Sequence, residues 1–298
     1  MWNLRLAAAA LVLPLLLLPG EGRACATCAC GDPTLTSMGT EQPFEGRLRF
    51  ATQMRAWGLS SGQVTVDGMV LRELRMDVSA AYAPLPWLFL STTLPLQART
   101  VRDVSLARET GWGIGDMEVN ARFFVFRDRE FSANHLFSVL VGTRLPTSST
   151  LNDAQGRPLS LDAQLGTGSW DPLLGLSYTA YLGDWSFLAS ATGYLPTRGR
   201  EGFRAGPSVR STLAAQFQST PRWALRLALD GLVEGESNHA GVRSEEGSGA
   251  IAYLSPDVLF SPAMDVVVQL GVRVPVFNRL RGNVQQMPIL QAALAYDL

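Results

Sequence analysis

Lysine is missing from this sequence altogether: all 25 basic residues are arginine, against 26 acidic ones, for a formal net charge of −1. We read the missing lysine as the bias of a GC-rich genome and attach no function to it. The even charge balance and a pI near 6.2 exclude the basic surplus of a nucleic-acid-binding chain, so no nucleic-acid partner is expected. Cysteine is confined to Cys25, Cys28 and Cys30, and histidine to His135 and His239. So few and so scattered, they form no complete zinc or copper coordination set, and no cofactor is expected. After the first 26 residues there is no run of about 18 apolar residues, which excludes a transmembrane helix.

What is there begins with an export signal. Arg5 supplies the positive n-region, Leu6 to Pro19 the apolar h-region, and Ala24-Cys25-Ala26 a small-residue cleavage site. The apolar run is shorter than the ~20 residues of a membrane span. Lipidation at Cys25 is disfavoured, because Gly22-Arg23-Ala24 lacks the leucine and the small middle residue that such a site requires. Cleavage after Ala26 leaves residues 27–45 as a periplasmic tail carrying Cys28 and Cys30. A C-x-C pair in an oxidising compartment can bind a soft metal, be oxidised, or pair with a partner. The expectation is a structural or redox-labile pair, with metal ligation by Cys28 and Cys30 as the alternative.

Residues 46–298 then carry a period of two. It is sharpest from Gly115 to Phe123, within Gly113 to Phe126, where Asp116, Glu118, Asn120 and Arg122 alternate with Met117, Val119, Ala121 and Phe123. Such alternation is a strand, since a helix would spread these charges around its circumference. Its length matches the 9 to 11 or so residues of a tilted barrel strand. Segments of this kind recur twelve times, at about Gly46–Gly58, Val70–Ala83, Trp87–Leu96, Gly113–Phe126, His135–Leu145, Leu173–Leu182, Trp185–Leu195, Ser208–Gln218, Trp223–Glu234, Gly249–Leu259, Val266–Val274 and Leu290–Leu298. The tenth alternates least clearly. The connections tend to alternate between short (Pro84–Pro86, Gly183-Asp184, Thr220–Arg222, Ser261–Ala263) and long (Ala98–Thr110, Thr147–Ser169, Thr197–Gly206, Gly235–Gly247, Val276–Met287). Arg127–Ala133 is no shorter than Leu59–Val64, which blurs the rule at one place. The expected fold is all-β: an antiparallel up-and-down transmembrane barrel of about twelve strands in the outer membrane, both termini periplasmic.

The polar faces are expected to line the lumen: Arg47, Arg49, Arg55, Glu73, Arg75, Asp77, Asp116, Glu118, Asn120, Arg122, Arg144, Arg210, Arg226, Asp230, Glu234 and Arg273. Pro95, Pro146, Pro196 and Pro275 each follow a similar dipeptide where an odd-numbered strand is expected to meet its outer loop, and proline is tolerated at a strand end. Tyr82, Trp87, Trp185, Trp223 and Tyr296 fall near the inner ends, as an aromatic girdle would. Gln291, Ala293, Tyr296 and Leu298 resemble the C-terminal signal read by the barrel assembly machinery, with alanine in place of glycine and a terminal leucine in place of phenylalanine.

GWGIGD (Gly111–Asp116), LPTSS (Leu145–Ser149), LGTGSWDPLLGLSY (Leu165–Tyr178) and GDWSFLASATGYLP (Gly183–Pro196) resemble the bacterial outer-membrane family labelled as meta-pathway phenol-degradation or transporter-like barrels. The resemblance covers about a third of the chain. It implies a barrel held by outer-membrane lipid that moves small hydrophobic compounds, and it brings no catalytic residues. From the residues themselves three functions follow: a channel for a small-molecule solute, leaning to anions if its arginines are wet; a structural or surface-binding barrel acting through its outer loops; or a lipid hydrolase. The last lacks a placed nucleophile and base, so no enzyme activity is expected.

Overall fold

Alternation becomes a wall in the computed structural model, which describes residues 46, 48–62, 68–103, 107–129, 133–220, 222–263 and 265–298. Residues 1–45, with Cys28 and Cys30, and Arg47 lie outside the described residues. The barrel strands are β1 (Leu48–Ser61), β2 (Met69–Leu85), β3 (Leu88–Arg102), β4 in two pieces (Arg108–Ile114 and Met117–Arg127), β5 (His135–Leu145), β6 (Asp171–Leu182), β7 (Trp185–Tyr194), β8 (Ser208–Thr220), β9 (Trp223–Glu234), β10 (Gly249–Ala263), β11 (Val266–Leu280) and β12 (Ile289–Asp297). Each pairs antiparallel with the next, and β1 pairs with β12 from Arg49↔Asp297 to Ala56↔Leu290, which closes the sheet and leaves no edge. Twelve strands about 4.8 Å apart and tilted by about 40° make a wall of roughly 12 Å radius, so arginines reaching about 7 Å inward come close to the axis.

The two faces are inverted relative to a soluble protein. On β9, Leu225, Leu227, Leu229 and Val233 are exposed, while Arg226, Asp230 and Glu234 between them are 8% exposed or less. The same holds around the wall, from Phe50 and Met54 on β1 to Leu290 and Leu294 on β12. An apolar belt of this extent is tolerable only against lipid. At the short-turn end Tyr82, Trp87, Trp185, Trp223 and Tyr296 are exposed on the outer surface. Several pack on neighbouring rings: Trp87 stacks on Phe123 and Trp185 on Phe187, and Trp223 lies tilted against Phe260 with centroids 4.4 Å apart.

All twelve expected segments are strands, but two expectations fail at the loop end. The supposed loop Ala98–Thr110 is mostly a strand pair, since β3 runs on to Arg102 and β4 resumes at Arg108 with Arg102↔Arg108 in register. Likewise Val276 to Leu280 belongs to β11. Pro95 and Pro275 are not rim residues either; both sit inside strands, each beside a bulge. Pairing of β3 with β4 steps from Thr93↔Glu118 to Leu96↔Ile114, leaving one extra residue on β4, and the Pro95 carbonyl accepts from Gly115 N at 2.8 Å. Pairing of β10 with β11 steps from Tyr253↔Pro275 to Ala252↔Phe277, leaving Val276 over. Proline has no N–H to give the ladder, and a bulge is where that loss is tolerated.

Near the loop end the binary pattern reverses. Trp57, Leu59, Leu71, Val101, Leu232, Ile251, Tyr253 and Ile289 point inward and are buried, whereas Arg72 and Arg102 point out. Here the strands have risen past the lipid, so the outer face is wet. The inner face packs on Ala163, and on Leu159, from the long connection between β5 and β6.

Candidate functional site

The connection of residues 146–170 folds into the barrel mouth instead of standing away from it. Its short 3-10 turn Leu161–Ala163 carries Ala163, fully buried, into the apolar cluster. Arg99 of β3, held by Glu73 at 2.6 Å, donates Nη1 to the carbonyls of Asp162 and Gln164. Gln164 in turn knits the loop together, donating to the carbonyls of Leu151 and Leu159 and accepting from Leu151 N.

Both ends of this loop are fastened to Asp116, which the bulge at Gly115-Asp116 turns inward. Oδ1 accepts from Ser148 N at 3.1 Å and Ser148 Oγ at 2.5 Å; Oδ2 accepts from Gly168 N at 3.2 Å and Thr167 Oγ1 at 3.4 Å. Thr147 Oγ1 adds a bond to the Gly115 carbonyl and receives Met117 N. Arg200, from the next long loop, donates to the carbonyls of Gly166 and Ser148. Gly166 has to be glycine, because a Cβ there would collide with the Asp116 carboxylate and Ser148 Oγ; Gly168 is held at φ +65°, where a side chain is strained. GWGIGD, LPTSS and LGTGSWD, distant in sequence, thus meet in one clasp. From it a polar chain continues through Thr167, Ser169 and Asp171 to Arg144.

Below and beside the clasp lies a vestibule of about 510 Å³. The barrel wall gives it Arg55, Arg75, Asp77, Gln97, Arg99, Asp116, Glu118, Arg144, Thr192, Tyr194, Arg210 and Glu234. The loop gives Leu161, Asp162, Gln164 and Leu165. Its outer rim is a small three-stranded sheet of Phe203–Arg204, Ser237–His239 and Val242–Ser244, from which Phe203, His239 and Ser244 face the cavity. The guanidinium groups of Arg144 and Arg210 lie over the Tyr194 ring, 5.1 and 4.5 Å from its centroid, a cation–π arrangement that holds both at the wall.

Every described member of the expected lumen set points inward, and most are engaged with one another. Arg49 binds Asp297 at 2.6 Å; Arg55 and Arg75 share Asp77; Glu73 holds Arg99; Arg144 reaches Asp171 at 3.2 Å and Glu118 at 3.8 Å. Asn120 donates to Glu118, and Arg122 is 5% exposed beside it on β4. Arg226 is bound to Asp257, and Asp230 accepts from Thr212 and Ser255 with Arg273 at 3.6 Å. Gln53 and Gln269, expected on the polar faces of the first and eleventh strands, also point inward; the residues not anticipated are the partners Asp171, Asp257, Asp297 and Arg99, and the inward glutamines Gln97 and Gln291. Beneath the vestibule Gln53, Asp77, Gln269 and Arg273 are no more than 1% exposed, so no water-wide gap passes beside them in this state.

No family model matches the chain, and no curated protein matches it in sequence. Solved structures do resemble it. The crystal structure of an outer membrane channel from Pseudomonas putida F1 superposes with a TM-score of 0.66 at 15% identity, covering 95% of this chain and 100% of that one. The β-domain of the Bordetella autotransporter BrkA gives 0.51 at 8% identity, covering 85% of this chain and 100% of that domain. At these identities the likeness is one of fold, and the chain is a twelve-stranded β-barrel of the outer-membrane kind.

Proposed function

We propose that the protein is an outer-membrane channel for a small solute, exported by the leader at residues 1–26, inserted by the barrel assembly machinery and embedded in outer-membrane lipid. The observation that carries this reading is the vestibule of about 510 Å³, walled by charged side chains and rimmed by the outer loops, above a belt of inward arginine, carboxylate and glutamine side chains. Apolar side chains would be the easier filling for an inert barrel, because buried charges are costly even when paired. A lining of arginine and carboxylate makes sense where solutes pass, and it tunes which solute is favoured. The clasp at Asp116 holds the mouth loop across the path and sets the width available. The reading involves passage without catalysis and without a cofactor.

A second reading, a barrel that binds partners through its outer loops, is favoured by the closure at Gln53, Asp77, Gln269 and Arg273. Osmotic swelling of liposomes loaded with the purified barrel separates the two. Swelling in isotonic small solutes, with a size cut-off, supports the channel. Liposomes that stay shrunken with both the native barrel and an Asp116→Ala barrel support the loop-binding reading instead.

A further inference from the structure

On the outer surface of β2, β3 and the upper piece of β4, three arginines stand together. Register places Arg102 of β3 directly opposite Arg108 of β4. Like charges so opposed, with Cβ atoms about 5 Å apart, destabilise a strand pair. Arg102 also faces Val70 of β2, which makes Arg72 its diagonal neighbour at about 7–8 Å. All three arginines are exposed, and none of their side chains forms an ion pair or hydrogen bond among the described residues, Asp103 and Glu109 beside them included. Glu109 turns the other way, to Ser160. Across β1 to β4 the two outward rows are completed by Gly58, Ser60, Val70, Thr100 and Thr110, none of them acidic.

The strands fix the depth of this patch. Tyr82 on β2 belongs to the aromatic residues of the short-turn end, and Arg72 lies ten residues along on the same outward face. At about 3.3 Å per residue and a tilt of about 40°, Arg72 stands about 25 Å above Tyr82 along the membrane normal, and the row of Arg102 and Arg108 about 5 Å higher. The apolar band of a membrane barrel is about 25 Å tall. The patch therefore sits at the level of lipid headgroups, on the long-loop side that faces outward in such barrels. Trp112, exposed and paired with Ala98 one row below Thr100 and Thr110, marks the upper aromatic girdle, with Leu74 and Ile114 exposed beside it.

We propose that Arg72, Arg102 and Arg108 bind the phosphate group of a lipid in the outer leaflet, whose acyl chains run down over Trp112, Leu74 and Ile114. A guanidinium presents a planar fork of donors that matches phosphate oxygens two at a time, and an anion between Arg102 and Arg108 turns their repulsion into attraction. The Thr100 and Thr110 hydroxyls, 3.4 Å from each other, add neutral donors beside Arg72. A headgroup is favoured over a soluble anion because the patch stands on the rim of the apolar belt, where a lipid also buries its chains. The site goes beyond the channel reading and holds whether or not the barrel conducts.

Native mass spectrometry of the detergent-purified protein titrated with lipid A, a doubly phosphorylated and acylated disaccharide, tests the site. Bound lipid A should survive release from detergent, and the same lipid stripped of both phosphates should bind at least about 10-fold more weakly. Joint Arg102→Gln and Arg108→Gln substitution should weaken lipid A binding about 10- to 30-fold, the worth of two arginines at an anionic lipid surface. Arg243→Gln, at an exposed outer-loop position away from the patch, should leave binding unchanged. The double variant removes a like-charge pair from an exposed face, so it should fold, and heat-modifiable gel migration checks that it does. Equal binding of the two lipids would overturn the proposal, as would equal binding by the native protein and the double variant. Displacement of lipid A by inorganic phosphate at the same concentration would overturn it too, by making the patch a site for the free ion.

Discussion

Replacing Asp116 with alanine should release the mouth loop while leaving the barrel intact. The carboxylate is 7% exposed and accepts four hydrogen bonds, two of them from the backbone N–H groups of Ser148 and Gly168. Bonds to a charged acceptor are each worth about 1.5–3 kcal/mol net, and the longer two fall at or below that range. The anchors on Arg99 and Arg200 survive, so the loss in loop attachment is about 3–5 kcal/mol, equivalent to a rise of at least about 100-fold in the detached population. Residues 154–158 at the loop tip are exposed and open to a broad-specificity protease such as proteinase K. In proteoliposomes, proteinase K cleavage within the loop tip followed by mass spectrometry should quicken by a similar factor, with heat-modifiable migration unchanged. Asp116→Asn should be intermediate, because it keeps an acceptor for Ser148 but turns a donor toward Gly168 N. Cleavage of the loop tip at the native rate in Asp116→Ala would refute the clasp.

Other substitutions probe the two faces. Val119→Arg puts a charge on the lipid face of β4 and should cost about 2–4 kcal/mol of barrel stability, read as a lower urea midpoint in refolding. Arg122→Ala, three residues along on the opposite face, should leave assembly nearly intact and alter conductance or selectivity; the reverse pair of outcomes would turn the strand inside out. At the loop tip, hydrogen bonds from Arg157 N and the Arg157 side chain hold the Asp153 carboxyl below its ordinary range. The sign follows from a depressed value: the tip is held above the ordinary carboxylate range and released as pH falls through the lower folded-state value. An NMR titration of the Arg157 amide should therefore turn below the ordinary aspartate range, and a midpoint at or above it would contradict the contact.

The strands were legible because lipid and a polar interior impose opposite demands on alternate residues, and β4 shows this over its whole central run. Legibility ended where those demands change. Ala98 to Arg102 reads as loop because that part of β3 has risen past the lipid, where Thr100 faces outward and Val101 inward. Strand ten alternates poorly for a related reason: Tyr253 and Leu259 are apolar yet point inward, one into the mouth cluster and one into a small cluster near the short turns. With that strand uncertain, Asp257 could not be recognised as the partner of Arg226. The clasp was hidden differently. GWGIGD, LPTSS and LGTGSWD are visible as Gly-rich and polar motifs, but their convergence depends on a bulge opposite Pro95 and on backbone N–H donors, which leave no periodic trace. Proline inside β3 and β11 was misread as a rim marker because only the register reveals the bulge beside it.

Planar-bilayer recording of the purified barrel under a salt gradient tests the channel most directly. Ohmic single-channel steps are expected, with a reversal potential displaced toward the anion equilibrium potential and larger or longer openings in Asp116→Ala. Electrical silence from both proteins, each shown by heat-modifiable migration to be folded, would contradict the channel.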